Sequence, residues 1–119
     1  MSLLNGLINE NVDRHTRDIL TLTATASITT ADHAGRTLLM GEVGGDAAAT
    51  FTLPAATGTG SVFKFVVSVV NTSNYLIKVA DATDTIDGQI VITDADGTAA
   101  SSMVTASASD TITLNGTTT

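Results

Sequence analysis

Residues 61–70 read SVFKFVVSVV, and the placement of their apolar side chains decides how the rest of the chain is read. Successive side chains of an extended strand point to opposite faces. One face carries Phe63, Phe65, Val67 and Val69; the other carries Val62, Val66 and Val70, with Lys64 and Ser68 between them. A strand in a half-exposed antiparallel sheet alternates cleanly, so apolar residues on both faces imply cover on both faces. In so small a β-domain the second cover is read as another subunit, with Val62, Val66 and Val70 as the expected oligomer interface. A central strand roofed by the chain's own loops would give the same pattern.

Outward from this strand, turn signals recur from Ile19 onward about every 8–12 residues, the spacing of a small sandwich or barrel. Residues 19–25, ILTLTAT, set Leu20, Leu22 and Ala24 against Thr21, Thr23 and Thr25, one apolar face and one hydroxyl face. Further strands are expected over 36–40, 48–53, 74–80, 85–93, 99–106 and 110–114. The gaps hold turn chemistry: Gly44-Gly45-Asp46, Pro54 to Gly60, residues 71–74, Asp94 to Gly97, and Asn115-Gly116. Residues 29–35, TTADHAG, read as a single helical turn with a Thr cap and a closing Gly.

Composition agrees. Of 119 residues, 22 are Thr, 10 Val and 8 Ile, whereas Glu, Gln, Lys and Arg together number 8. Surface helices need long, straight polar side chains on their wet face, so an all-β fold is expected. Within that class the reading is a small antiparallel β-sandwich or jelly-roll-like domain over 19–119, preceded by an extended N-terminal arm over 1–18. The arm differs from the rest: Leu3, Leu4, Leu7 and Ile8 are followed by the only basic cluster, Arg14, His15 and Arg17. An apolar start of this kind folds onto its own domain or grips a neighbouring subunit.

Several function classes are disfavoured. With no Cys there is no disulfide framework and no thiolate metal site. Residues 62–70 are too short to span a bilayer, and the N-terminus has no basic region followed by an apolar core, so a soluble protein without a signal sequence is expected. Twelve acids against five bases give a net charge of −7, which disfavours nucleic acid and anionic membranes as partners.

The two histidines, His15 and His33, show no spacing suited to a metal or to a nucleophile and its base, and no phosphate loop, GxSxG or HExxH occurs. No enzyme, cofactor, metal or small-molecule substrate is expected. Asp94-Ala95-Asp96-Gly97 and Asp81, Asp84 and Asp87-Gly88 look like fragments of calcium loops but lack the full set of oxygens and the closing Glu, so hairpin turns account for them. Asn71-Thr72-Ser73 and Asn115-Gly116-Thr117 match the glycosylation acceptor and are read as ordinary turns. Phe51, Phe63, Phe65 and Tyr75 are all the aromatic content, and their strand positions suit core packing better than a sugar- or base-binding platform.

Over roughly the last 70 residues, FTLPAATGTGSVFKFVV, IKVADATDTIDGQIVI and SASDTITLNGTTT resemble small β-rich virion proteins of tailed bacteriophages, the capsid decoration (cement) and head-fibre proteins. The turn around Pro54 before the Phe63-Lys64-Phe65 strand and the terminal SDTITLNGTTT carry the resemblance. It implies a structural protein made in the bacterial cytoplasm and displayed on the outer capsid surface, self-associated as a homotrimer. Its partner would be the major capsid protein, gripped by an arm using Leu3, Leu4, Leu7, Ile8, Arg14 and Arg17. A phage fibre or receptor-binding module is the alternative.

Overall fold

The structure, a computed structural model, describes residues 18–41, 47–70, 72–93 and 100–116. The protein is built mostly of β-strands with one short helix: β1 (Ile19–Leu22), β2 (Ala26–Ser27), α1 (Thr30–His33), β3 (Thr37–Met40), β4 (Ala49–Thr52), β5 (Lys64–Val67), β6 (Tyr75–Lys78), β7 (Gln89–Thr93), β8 (Ala100–Val104) and β9 (Thr111–Leu114). From β1 to β6, strands that follow one another in sequence do not pair. The first sheet is ordered β1-β3-β5, the second β2-β4-β6-β9, and β7 with β8 makes a third. Pairing is parallel between β1 and β3, β3 and β5, β2 and β4, and β4 and β6. It is antiparallel between β6 and β9 and between β7 and β8. The chain therefore winds, laying one strand in each of the first two sheets on every circuit. The registers of Ile19 with Thr37, Ala26 with Phe51, Ala49 with Tyr75 and Thr37 with Lys64 make circuits of 18, 25, 26 and 27 residues.

Parallel register stacks equivalent side chains into ladders. In the first sheet Leu20, Leu38 and Phe65 form one ladder and Leu22, Met40 and Val67 another. In the second, Ala26, Phe51, Ile77 and Ile112 line up, as do Ala49, Tyr75 and Leu114. These ladders make the core: Leu22, Leu38, Met40, Ala49, Phe51, Tyr75 and Ile77 are buried together with Ile28, and Phe63, Phe65, Ile112 and Leu114 pack against them. The ring centroids of Phe51 and Phe65 lie 6.3 Å apart across the two sheets, and Tyr75 meets Phe51 edge-on at the same separation. The buried Tyr75 hydroxyl is satisfied by donating to Gly41 O at 3.0 Å. All four aromatic residues thus serve the core, as their strand positions suggested.

The all-β class and the strand positions agree with the sequence; the antiparallel pairing does not extend to the body. The hydrophobic alternation and the turn signals specify where strands lie and which face is apolar, but not which strand is the neighbour. Here the turns after β3, β4 and β5 are corners between sheets rather than hairpins, so strands two apart in sequence pair in parallel. The short strand β2 follows the 19–25 stretch, in residues to which the sequence reading gives no element. The helical turn stands where the sequence puts it. Thr29 caps α1 by accepting from Asp32 N–H at 3.2 Å, and Gly35 closes it at φ +74°, the left-handed region.

The end of the coil is clasped by Gly116. Its N–H donates to Asn74 Oδ1 at 3.3 Å, and a Cβ there would lie 2.6 Å from both Ser73 N and Ser73 O. Two stability changes follow, both measurable by denaturant unfolding. Phe51→Ala, which empties the centre of the core, should cost about 3–5 kcal/mol. Gly116→Ala, which forces backbone apart, should cost about 1–3 kcal/mol.

Candidate functional site

Among the described residues the large exposed apolar side chains lie mainly in two places. The first lies around β5. Among the described residues both sheets are open at their end strands, β1 and β5 in the first and β2 and β9 in the second. Phe65 and Val67 end their ladders at β5, and Val67 is left exposed beside Val62, Val69 and Val70. On the outer face Val66 aligns with Leu39 and Thr21, and Val66 and Leu39 are each half-buried.

Of the three residues expected at an oligomer interface, Val62 and Val70 are thus well exposed, at 70% and 73%, and Val66 is partly covered by its own sheet. The exposed Lys64 sits among them and, among the described residues, has no ion-pair partner. The expected arm residues Leu3, Leu4, Leu7, Ile8, Arg14 and Arg17 lie outside the described residues, as does His15. The one arm residue described, Asp18, already belongs to the first sheet, since its carbonyl accepts from Thr37 N–H at 2.7 Å.

The second place is the β7–β8 ribbon, which pairs with neither main sheet. It grows from the β6–β9 pair through bonds from Val79 N–H to Asp110 O, from Ile86 N–H to Ser109 O and from Thr105 N–H to Gly88 O. Ile90, Val91, Met103 and Val104 are all exposed on it. The sequence reading put strands here without marking them as a surface. The signal was available in Ile90-Val91, which sets large apolar side chains on both faces as residues 61–70 do.

The remaining candidates are structural. His33 Nδ1 accepts the Thr29 backbone N–H at 3.0 Å, and the Thr29 hydroxyl donates to Asp32 Oδ2 at 3.0 Å, so both side chains complete the cap of α1. Asp84 Oδ2 accepts Ala56 N–H at 3.2 Å and ties the 54–60 loop to the 81–84 turn. That loop, with Thr30, Pro54 and Phe63, borders a groove of about 270 Å³ lined by no charged residue.

Among the described residues no group of three or more His, Asp or Glu could hold a metal ion, and no helix is long and apolar enough to cross a membrane. Asp94 and Asp96 lie outside the described residues. No family model, curated protein or solved structure matches the chain.

The Asp81 carboxyl titrates below its ordinary value. The hydroxyl of Thr83, and then its backbone N–H at 2.8 Å, donate to the Asp81 carboxylate and hold it below the ordinary 3.8. Because the folded value is the lower one, the turn's contribution is present above 3.8 and fades as the pH falls through the lowered value. Thr83→Ala should move the Asp81 midpoint back up toward 3.8, as followed by carboxyl-carbon NMR.

Proposed function

We propose that the protein is a self-associating structural protein of a bacteriophage particle, a capsid decoration or cement protein that binds the outer surface of the major capsid lattice and stabilises the head. The observation that carries this reading is the concentration of exposed valines around β5, at the open edge of a sheet in a chain of net charge −7. A contiguous exposed apolar edge marks a surface made to be covered. The resemblance of residues 50–119 to decoration and head-fibre proteins supplies the place of action.

Function in this reading is adhesion. Area buried at subunit junctions stabilises the assembled shell by mass action, and many copies act together. The association is a homotrimer in which Val62, Val66 and Val70 meet a neighbouring copy, while residues 1–18 grip the capsid through Leu3, Leu4, Leu7 and Ile8, with Arg14 and Arg17 at the rim. The loops of Gly, Ala, Thr and Ser between β4 and β5 suit a soluble and inert outer surface. The acidic balance keeps particles dispersed.

The test pairs two measurements on particles with and without the protein: copies per head, and survival of heat or osmotic shock. Many copies per head and a loss of survival on removal are expected. A few copies at the tail, unchanged survival and adsorption blocked by free protein would instead identify a fibre or receptor-binding module. Deleting residues 1–18 should leave a folded domain that no longer attaches, and Val66→Asp should yield monomer in light scattering; full decoration by the truncated chain would show that the arm is not the anchor.

A further inference from the structure

We infer that the β7–β8 ribbon is the contact through which copies of this chain close into a ring of three or more. The inference rests on the self-association proposed above and names a second element, distinct from the valines of 61–70, that carries it. Cross-strand register fixes the two faces of the ribbon. Gln89 pairs with Val104 and Val91 with Ser102 on one face; Ile90 pairs with Met103 on the other. Both faces are apolar and open: Val91 and Val104 are 65% and 79% exposed, Ile90 and Met103 45% and 53%. A two-stranded hairpin without a third strand or a helix over it is marginal in water, so this one calls for cover on both faces.

Three observations point to other copies as that cover. The strands QIVIT and ASSMV carry no charge in a chain of net charge −7, so a partner attracted by charge finds nothing on them, whereas identical acidic chains can meet only where their mutual repulsion is least. One face of a ribbon five residues long, roughly 16 Å by 10 Å, offers far less than the about 800 Å² per partner of a stable two-body interface. A two-fold contact would also use the same face on both copies and leave the other wet. Head-to-tail packing, with Val91 and Val104 of one copy against Ile90 and Met103 of the next, covers both faces with one repeated contact. Each copy is then held on two sides, and closure needs at least three.

The two faces can be broken separately in the full chain. Sedimentation equilibrium should give the unmodified protein a mass of three or more 12.1 kDa chains. Val91→Asp with Val104→Asp, and Ile90→Asp with Met103→Asp, should each give single chains with an unchanged far-ultraviolet circular dichroism spectrum. Mixed in equal amounts, the two variants retain one good face each, can make only a single open contact, and should form no species larger than two chains.

A milder change at the most exposed position, Val104→Ser, should weaken association about tenfold without any burden on folding. An unmodified protein of one or two chains, a face variant that keeps the full mass, or a mixture that regains the full mass would each overturn the inference. So would dissociation by Val66→Asp alone with the ribbon variants intact, which would leave the edge of β5 as the sole contact. A ring that does not attach to capsids leaves this inference standing and removes the decoration reading; a monomer that decorates them does the reverse.

Discussion

The packing of Leu38 and Met40 from one sheet against Phe51, Tyr75 and Ile77 from the other is the contact that places every remaining part of the body. Leu38 and Phe51 have no exposed area at all, so the distance between the sheets is set where they meet. Each belongs to a ladder whose other rungs come from chain segments a full circuit away, and parallel register holds those rungs at equal heights. The corners between sheets have to turn within that geometry. Gly41, whose carbonyl takes the Tyr75 hydroxyl, and Met40, whose carbonyl takes both the N–H and the hydroxyl of Ser68, lash the corner after β3 to the layers on either side.

A coil of this kind has two ends, and stacked-strand architectures need their ends closed. The second sheet is extended by one strand beyond the coil. β9 returns antiparallel along β6, adds Ile112 and Leu114 to the ladders, and is held by the close approach of Gly116 to Ser73. Among the described residues the first sheet ends at β1 and β5, and apolar residues around β5 remain in contact with solvent.

Much of this was legible in residues 19–116, and what was not has a physical cause. Alternation in 19–25 and 48–53, the Thr29 and Gly35 punctuation of α1, and the apolar register of Phe63 and Phe65 all act locally, so the sequence reveals them. β2 escaped because two residues, Ala26 and Ser27, are too few to show a period. The identity of pairing partners escaped because the same alternation serves a hairpin and a corner equally well, and the choice is made by contacts 18 to 27 residues apart. Of the residues expected at an interface only Val66 lies in β5, which is shorter than the 61–70 strand read from the alternation, and Val62 and Val70 are exposed beyond its ends. The ribbon carried the same signal in Ile90-Val91, but Ala and Ser in the partner strand diluted it.

The winding path also orders events in time. No two neighbouring segments of the body can pair as they leave the ribosome, because each rung waits for a strand one circuit later, and closing loops of that length before any contact rewards them makes such topologies slow to fold. The β7–β8 ribbon is the exception: its strands are separated by six residues and pair as a simple hairpin, an event of about 1–10 μs. Once its strands have left the ribosome the ribbon can therefore pair without waiting for a circuit to close, whereas each rung of the body cannot.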